Sequence, residues 1–446
     1  MTTTSPILDR ALECMDPAQL HSRVEGPRRK RQLEYVMARS PFYRRKFRPF
    51  GRDAATLVCR FAELPFSDKK EILADQLEHQ PFGSNLCAEP GDIRRVHKTS
   101  GTTARPLMIA MTEADIATTV ASGARSFRAA GLSRGFTVAH CLNYCLWMGG
   151  YTDHQSLEAA GATVVPYGVG NTHALVETIR QVRVNAIHCT PSYLTVLEEA
   201  LQEEFGMQPR DLGLRLGLFG GEGGLENPDF RQRVESLWGI RAMNANYGMA
   251  DVLSILGGEC SQRDGLHFMG QGAVLVELIE PQTGAPVPIE RGAEGELVLT
   301  NLLREAQPVV RYRTGDILAI VGHNRCRCGR RSFRFRVKGR SDDMLVVSGV
   351  NVFPSAVQAV LMTCLDQLTG AYQIVLETPP PLRTILVRAE YRGGTRGAVR
   401  QALQKRLLAA FRTQMGLGPR IELVPQGTLL RSRGKTKPIL RSYLEQ

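Results

Sequence analysis

Along the middle of the chain, two patterns of apolar and polar positions follow each other repeatedly. Short continuous apolar runs are each followed by a stretch in which apolar residues recur at helical spacing. This pattern predicts buried strands separated by amphipathic helices, the order typical of a parallel sheet covered by helices. The predicted strands are 136–141, 161–166, 186–190 and 214–219, and the predicted helices are 113–130, 147–160, 172–183 and 192–204.

The two ends of the chain follow other patterns. Residues 9–50 carry apolar positions at near-helical spacing and predict helix, with a break at Ser40-Pro41. From Gly272 onward, short β-branched runs separated by Gly and Pro predict antiparallel strands. These strands are 274–279, 295–300 and 309–312; a linker is predicted at 339–343, followed by helices 354–363 and 396–414 and strands 371–376, 384–391 and 420–424.

The expected fold class is therefore α/β with two domains. A large N-terminal domain, residues 1–340, would hold the parallel sheet and a β-rich subdomain at about 272–338, and a small α+β domain would follow at 341–446. Ligands bind at the carboxyl ends of parallel strands. We therefore expect one cleft lined by the loops that follow the strands, which are 144–150, 190–193, 220–224 and 246–251.

Composition and charge narrow the function. The chain has 446 residues, with 43% apolar and 22% charged residues, and no apolar stretch long enough for a membrane span. No secretory signal is visible, and ten scattered cysteines fit a reduced cytoplasmic protein. Residues 380–446 hold 14 of the basic residues and only three acids. This excess suits nucleic acid, a phosphorylated cofactor, an acidic carrier protein or simply a solvated basic face.

The stretch 97–106, His-Lys-Thr-Ser-Gly-Thr-Thr-Ala-Arg-Pro, offers hydroxyls and unobstructed backbone N–H groups to an anion. It lacks the ending of a P-loop, so an ordinary turn stays an alternative. Further motifs follow in order: Ser40-Pro-Phe-Tyr-Arg-Arg-Lys-Phe47, Leu64-Pro-Phe66, Cys189-Thr-Pro-Ser-Tyr193, Asn246-Tyr-Gly-Met-Ala-Asp251, Arg311-Tyr-Arg-Thr-Gly-Asp316, Gly339-Arg-Ser-Asp-Asp-Met344, Gly349-Val-Asn-Val-Phe-Pro354 and Arg431-Ser-Arg-Gly-Lys435. With these motifs the chain resembles the adenylate-forming (acyl-CoA synthetase-like) superfamily, most closely its phenylacetate–CoA ligase branch.

The resemblance implies that a carboxylate attacks the α-phosphate of ATP, with Mg²⁺, and that a second nucleophile then takes the acyl group. The nucleotide-binding residues that it implies are Thr99, Ser100, Gly101, Thr102, Thr103, Arg105, Gly220, Gly221, Glu222, Asn246, Tyr247, Gly248, Asp316 and Arg340. It further implies that Lys435, Asp251 and Arg340 are catalytic, with Asp251 binding Mg²⁺. Asp342 would be the hinge of a mobile C-terminal domain.

Two sites, each of two adjacent residues, depart from the pattern of the family that the chain resembles. Ala250 stands where Ser or Thr is usual, and Asp251 stands where Glu is usual. The lost hydroxyl removes one hydrogen bond to a charged group, an effect of about 1.5–3 kcal/mol. Ala104-Arg105 replaces Gly-Lys, which keeps the charge but changes the freedom of the loop.

The acid would lie among loop aromatics and glycines, namely Tyr144, Trp147, Gly149, Gly150 and Tyr193, which suit a flat aryl carboxylate. Alternatively, these side chains belong to the core. Cys141, Asn143 and Cys145 indicate some polarity, so a hydroxy- or aminobenzoate fits as well as phenylacetate. The partners of His97, His140, His154 and His188 cannot be assigned from sequence.

Cys260, His267, Cys326 and Cys328 make a Cys₃His set, a combination typical of structural zinc. The wide gap between its halves is unlike a zinc finger, but members of the resembled branch carry zinc at the matching place. The zinc would join strands of the β-rich subdomain.

We expect a cytoplasmic enzyme that converts an aryl acid to its adenylate and transfers the acyl group to coenzyme A. Transfer to a carrier protein or an amine in a natural-product pathway is one alternative. A non-catalytic relative that binds nucleotide is another. No nucleic acid or membrane partner is expected, and a homodimer is left open.

Overall fold

The computed structural model describes residues 6–99, 105–348, 350–393, 397–429 and 439–444. The chain forms two compact units. The first contains residues 1–190, 212–221 and 240–336, and the second contains residues 191–211, 222–239 and 337–446. The second unit thus includes two helical segments from the middle of the sequence. No helix among the described residues is both long and apolar enough to cross a membrane.

The first unit is built on a sheet of thirteen strands. Its helices are α1 Arg10–Glu13, α2 Pro17–Leu20, α3 Gly26–Arg39, α4 Pro41–Phe47, α5 Ala54–Cys59, α6 Lys69–Glu78, α7 Glu113–Ala129, α8 Met148–Ala159 and α9 Thr172–Val182. Its strands are β1 Ser67–Asp68, β2 Arg95–Lys98, β3 Met108–Met111, β4 Thr137–His140, β5 Thr163–Val165, β6 Ala186–Cys189, β7 Leu216–Gly220, β8 Arg241–Met249, β9 Leu253–Glu259, β10 Leu266–Phe268, β11 Val274–Ile279, β12 Pro286–Val287, β13 Glu294–Asn301, β14 Tyr312–Gly322 and β15 Arg334–Arg340, the last of which runs on into the second unit.

The sheet has a parallel half and an antiparallel half. Strands β5, β4, β6, β7 and β8 are neighbours in that order, and each pair is parallel. Strand β8 then pairs antiparallel with β9, and β9 pairs antiparallel with β10. Strands β11, β13 and β14 continue the sheet as antiparallel neighbours. The predicted antiparallel strands therefore extend the same sheet as the parallel ones.

The core of the parallel half lies between this sheet and helices α7 and α8. It includes the buried residues Ala124, Phe127, Val138, Leu157, Leu218, Met243 and Ile255. A capping box of Thr112 and Asp115 starts α7. The two helices approach closely, since a Cβ at Gly123 would lie 2.3 Å from Ser156 Oγ. This packing holds α8, which carries several predicted pocket residues, against the sheet.

The second unit contains α10 Tyr193–Phe205, α11 Pro228–Trp238, α12 Pro354–Met362, α13 Gly397–Met415 and the strands β16 Leu345–Val347, β17 Val350–Val352, β18 Leu368–Leu376, β19 Leu386–Tyr391, β20 Arg420–Pro425 and β21 Ile439–Arg441. A four-stranded sheet has the order β20-β19-β18-β21. Helices α12 and α13 contact each other, and α12 also contacts β18. The predicted α/β class, with a C-terminal α+β region, is confirmed.

Most predicted elements agree with the structure to within a few residues, and the exceptions have local causes. Residues 9–50 form four helices and a π-helical turn at His21–Glu25; the predicted break at Ser40-Pro41 is confirmed, since α3 ends at Arg39 and α4 begins at Pro41, but the part before it is divided into α1, α2 and α3. The strand predicted at 309–312 begins only at Tyr312. Arg311 has a φ of 46°, which interrupts the extended backbone, and its guanidinium binds the Glu277 carboxylate and the carbonyl of Leu64. Residues 246–249, predicted as loop, belong to β8.

Candidate active site and Cys-His cluster

The predicted phosphate loop is anchored by a pair of hydrogen bonds at its base. The Thr99 N–H donates to the Leu107 carbonyl, 2.9 Å, and the Leu107 N–H donates to Thr99 Oγ1, 3.0 Å. The two bonds bring the ends of the stretch together directly after β2 and before β3. Arg105 is exposed, whereas the predicted residues Ser100, Gly101, Thr102 and Thr103 lie outside the described residues.

Glycine lets β7 and β8 approach closely at one edge of the parallel sheet. A Cβ at Gly220 would lie 2.4 Å from the Cβ of Asn246, so only glycine allows β7 and β8 to approach in this way. The next residue, Gly221, has a φ of 79° and faces the side chains of Thr190 and Trp147. The sequence places these residues in four separate predicted loops, and the fold brings them to one place.

Two residues implied for nucleotide binding touch each other although 69 positions separate them. The Tyr247 hydroxyl donates to Asp316 Oδ2 over 2.7 Å. The Tyr247 ring meets Phe335 edge-on, with 5.3 Å between the ring centroids, and the Asp316 N–H donates to Thr314 Oγ1. The aromatic ring and the carboxylate are therefore fixed side by side in the first unit.

Asp251 is buried in the connection between β8 and β9. Its Oδ2 accepts a short hydrogen bond from the Tyr312 hydroxyl. The turn is tight at Gly248, where a Cβ would lie 2.0 Å from the Ser254 carbonyl oxygen. The Asp251 carboxylate is thus held by one phenol, and Ala250 beside it supplies no hydroxyl.

The predicted acid pocket is built around the first turn of α8. Trp147 precedes this helix as its N-cap, and its ring would lie 3.4 Å from a Cβ at Gly149. Gly150 has a different role, since a Cβ there would lie 2.2 Å from the Asn143 carbonyl oxygen. Tyr144 is half-buried, and burial raises the pKa of its hydroxyl. Its oxygen lies 2.9 Å from His154 Nδ1.

Two buried histidines lie beneath this pocket at the ends of neighbouring strands. Nδ1 of His140, the last residue of β4, lies 2.9 Å from Nδ1 of His188 in β6, and its Nε2 lies 2.7 Å from the Gly150 carbonyl oxygen. Burial lowers the pKa of His140 to about 4. Burial also lowers the pKa of His188 well below its ordinary value, so both rings are neutral at physiological pH. Sequence reasoning left these histidines unassigned, and only the strand order β4-β6 pairs them.

A second polar group in this region was missed from the sequence. Asp153 in α8 is fully buried, and its Oδ1 accepts from Ser254 Oγ over 2.9 Å. Its Oδ2 accepts a short hydrogen bond from Asn246 Nδ2. Burial raises the pKa of Asp153 well above its ordinary value, against the hydrogen bonds from Ser254 and Asn246, which lower it. The three residues come from three different elements, so no local motif announces them.

The remaining predicted residues belong to the second unit. The guanidinium of Arg340 binds the Asp342 carboxylate through two hydrogen bonds of 2.8 and 2.9 Å. The Ser192 N–H donates to the Glu222 carboxylate over 3.4 Å, and Tyr193 starts α10 next to it. Lys435 lies outside the described residues.

The four predicted metal ligands converge in the first unit. One ligand atom from each of Cys260, His267, Cys326 and Cys328 lies within 4.8 Å of the others. Sγ of Cys260 and Sγ of Cys326 are 3.8 Å apart, and Sγ of Cys328 lies 3.5 Å from His267 Nε2. His267 Nδ1 lies 3.1 Å from Ser332 Oγ, which turns Nε2 toward the sulfur atoms.

Comparison with known proteins identifies the family. The model of the AMP-binding enzyme matches residues 49–301, and the model of the AMP-binding enzyme C-terminal domain matches residues 349–442. The chain belongs to the AMP-binding enzymes. The resemblance inferred from its motifs is therefore confirmed, and the Tyr247–Asp316 pair lies in a chain whose relatives handle adenine nucleotides.

Similar proteins cover almost the whole chain of this AMP-binding enzyme. The phenylacetate-coenzyme A ligase of Thermus thermophilus is 33% identical, over 92% of this chain and 94% of its own length. The enzyme of the same name from Escherichia coli is 30% identical, over 92% of both chains. The crystal structure of a 2-hydroxyisobutyryl-CoA ligase in the postadenylation state superposes with a TM-score of 0.86, at 26% identity and 96% coverage of this chain.

Proposed function

We propose that this AMP-binding enzyme activates an aryl carboxylic acid with ATP and transfers the acyl group to coenzyme A. The observation that carries the proposal is the contact between Tyr247 and Asp316, which presents an aromatic ring and a carboxylate together. Relatives named phenylacetate-coenzyme A ligase cover more than nine-tenths of the chain and support the same reaction.

The first half-reaction joins acid and nucleotide. A carboxylate oxygen of the acid attacks the α-phosphorus of ATP, the bond to the β-phosphate oxygen breaks, and pyrophosphate leaves. Asp316, oriented by Tyr247, accepts hydrogen bonds from the ribose hydroxyls. Thr99 and Arg105 flank the loop that binds the β- and γ-phosphates, and Lys435 offsets charge on the α-phosphate.

The residues around Asp251 fit a magnesium ion. The carboxylate is buried and Oδ2 is held by Tyr312, which leaves Oδ1 to bind a hard cation. Bound Mg²⁺ would offset the negative charge of the phosphates. Asp251 has a shorter reach than Glu, and Ala250 offers no hydroxyl, so we expect a weaker magnesium site than the family pattern gives.

The second half-reaction releases AMP. The sulfur of coenzyme A attacks the carbonyl carbon of the acyl-adenylate, the bond from that carbon to the phosphate oxygen breaks, and the thiol proton passes to solvent. Residues 341–446 would act as a mobile domain hinged at Asp342, with Arg340 near the ribose. The basic residues of α13, including Lys405 and Arg412, suit the phosphates of coenzyme A. An acidic carrier protein suits the same surface and is the second candidate acceptor.

The Cys-His cluster fits a closed zinc site. Tetrahedral zinc with sulfur bonds of about 2.3 Å has neighbouring sulfur atoms about 3.8 Å apart. The distance between Sγ of Cys260 and Sγ of Cys326 is 3.8 Å. Three thiolates and one imidazole complete the coordination, so bound zinc would stabilise the connection between β9, β10 and the 326–331 segment without taking part in the reaction.

The test is pyrophosphate release from ATP and Mg²⁺ with a panel of aryl and alkyl acids, with and without coenzyme A, and with products identified by mass. We expect release with aryl acids, and a thioester mass only when coenzyme A is present. Lys435→Ala should abolish release, while Lys70→Ala at an exposed position of α6 should retain it.

Other outcomes would redirect the proposal. An adenylate mass without any thioester would favour a carrier protein or an amine as acceptor. Release with alkyl acids alone would remove the aryl assignment. No release with any acid would favour a non-catalytic nucleotide-binding protein, and Ala250→Ser would then show whether the missing hydroxyl is the cause.

A further inference from the structure

Two segments from the middle of the sequence pack against the C-terminal part of the chain inside the second unit. These segments, residues 191–211 and 222–239, lie before the predicted hinge at Asp342. They meet elements that lie after it: α12 and Arg392 contact α10 and the loop 222–227. This set of contacts is here called the docking contact. A rotation of the chain about Asp342 would separate its two sides.

Asn227 forms the hydrogen bond of the docking contact. Its Nδ2 donates to the carbonyl oxygen of Ala359 over 2.9 Å. Ala359 lies in the last turn of α12, where the carbonyl groups of a helix have no partner within the helix itself. The Oδ1 atom of Asn227 accepts the N–H groups of Asp229 and Phe230 and so caps α11. One side chain therefore joins the start of α11 to the end of α12.

Met362, the last residue of α12, packs onto the same loop. Gly224 has a φ of 145°, a conformation that favours glycine, and a Cβ there would lie 3.1 Å from Met362 Sδ and 3.3 Å from the Phe230 ring. Met362 is buried. Its thioether thus lies against the loop at the point where residue 224 has no side chain.

The docking contact supports the loop that carries Glu222, one of the residues implied for nucleotide binding. The loop is closed by bonds of its own, since the Gly224 N–H donates to the Glu226 carboxylate and the Asn227 N–H donates to the Gly224 carbonyl, each over 2.9 Å. The Glu222 carboxylate in turn accepts the N–H of Ser192. Because the loop is short and bonded along its length, a shift at Asn227 would also move Glu222.

An ion pair adds to the docking contact at α10. Nη1 of Arg392 lies 3.6 Å from Oε1 of Glu199, and these side chains are 24% and 21% exposed. Nε of Arg392 also donates to the carbonyl oxygens of Leu365 and Leu368, 3.1 Å each. The guanidinium is thus fixed to the C-terminal side of the docking contact, and Glu199 binds it from the other side.

From these contacts we infer that α12 positions the loop 222–227 for the nucleotide, and that ATP binding and the docking contact stabilise each other. Asn227 is then a positioning residue. The inference rests on the proposed function, in which residues 341–446 move about Asp342 between the half-reactions. Coupling between two binding equilibria is reciprocal, so the docked arrangement binds ATP more tightly and bound ATP favours docking. The docking contact therefore favours adenylation and breaks before the thioester forms.

The experiment measures the two half-reactions separately in Asn227→Asp. Aspartate keeps the cap of α11 but removes the amide donor to the Ala359 carbonyl. We expect the KM for ATP in pyrophosphate release to rise roughly 3- to 10-fold, the effect of one hydrogen bond. Thioester formation from a supplied acyl-adenylate and coenzyme A should retain at least the wild-type rate. An unchanged KM for ATP, or equal losses in both half-reactions, would overturn the inference.

Two further variants assign the effect to the docking contact. Glu199→Gln removes the ion pair with Arg392, and the KM for ATP should rise about two- to threefold because the pair is partly exposed. Glu422→Gln is the matched control, since it breaks a pair with Arg388 that joins β19 to β20, both after the hinge. It should leave both half-reactions unchanged. A rise in the KM for ATP as large as that in Asn227→Asp would contradict the assignment.

Failure of the proposed function would be recognised separately. Isothermal titration calorimetry measures binding of ATP with Mg²⁺ and needs neither acid nor turnover. If ATP bound but no acid supported pyrophosphate release, the ligase assignment would fall, and the Kd values would decide the present inference. A weaker Kd for Asn227→Asp than for the wild type and Glu422→Gln would support the coupling. Equal Kd values in the three proteins would refute it.

Discussion

Replacing Glu13 by Gln removes the negative charge from an ion pair that is sealed from solvent. The Glu13 side chain is 0% exposed and its partner Arg330 is 1% exposed, with 2.5 Å between Oε2 and Nε. The other oxygen of Glu13 accepts the N–H groups of Leu8 and Asp9, and the Arg331 N–H donates to the Glu13 carbonyl. The N-terminal segment is thus attached to the loop that carries Cys326 and Cys328.

The magnitude follows from this burial. Removing one partner of a buried pair costs about 3–5 kcal/mol, because the remaining charge is left without compensation. For a unit of roughly 300 residues, each kcal/mol shifts the unfolding temperature by about 2 °C, so we expect a decrease of about 6–10 °C. Nη1 of Arg330 also lies 3.7 Å from Cys328 Sγ, so the variant should bind zinc more weakly.

Asp16 provides a matched control in the same segment. Asp16 pairs with Arg331 over 2.7 Å, but these side chains are 42% and 36% exposed. An exposed pair contributes only about 0–1 kcal/mol, and Asn retains the N-cap bond to Ala18, so Asp16→Asn should shift the unfolding temperature by at most about 2 °C. Differential scanning calorimetry measures both variants. Equal shifts for Glu13→Gln and Asp16→Asn would refute the reasoning.

Three other predictions concern separate parts of the first unit. Asp251→Asn removes the proposed magnesium ligand and should raise the Mg²⁺ concentration for half-maximal pyrophosphate release at least tenfold; an unchanged requirement would exclude Asp251 as the ligand. Cys326→Ser should lower both the zinc content, measured by elemental analysis, and the unfolding temperature, and a zinc-free wild-type protein would remove the metal proposal. Burial lowers the pKa of His97 from 6.5 to about 4. Between pH 6.5 and pH 4 the unfolded chain therefore binds a proton at His97 that the folded protein does not bind. The stabilisation from neutral His97 is present above pH 6.5 and should decline by about 2 kcal/mol by pH 5. The variant His97→Gln should therefore lose less unfolding temperature than the wild type between pH 6.5 and pH 5. Equal Tm–pH profiles for the two proteins would contradict the lowered pKa of His97.

Much of the chain could be predicted before its structure was known. The helix predicted at 113–130 is α7, Glu113–Ala129, and the strand predicted at 274–279 is β11. These segments follow local rules, namely the period of apolar residues and the Thr112 cap. The motifs in their order likewise identified the family, and one of them, Asn246-Tyr-Gly-Met-Ala-Asp251, lies within residues 49–301, which the model of the AMP-binding enzyme matches.

Local rules gave wrong element bounds where a side chain binds residues that are distant in the sequence. Arg311 appeared to continue a strand by its apolar neighbours, but the Glu277 carboxylate and the carbonyl of Leu64 hold it in a left-handed conformation. The period of apolar residues contains no information on such bonds. The sequence could therefore predict that a strand lies near this position, but the residue where it begins depends on residues far along the chain.

The sequence by itself determined most of the elements, the family and the four cysteine and histidine residues that the fold brings into one cluster. Only the tertiary structure decided which polar residues meet. Three pairs bind each other although they are far apart in sequence: Tyr247 with Asp316, 69 positions, Glu13 with Arg330, 317 positions, and Asp153 with Asn246, 93 positions. The reason is physical. A periodic apolar pattern selects helices and strands through local burial, whereas a buried carboxyl takes whichever donor the order of strands places beside it.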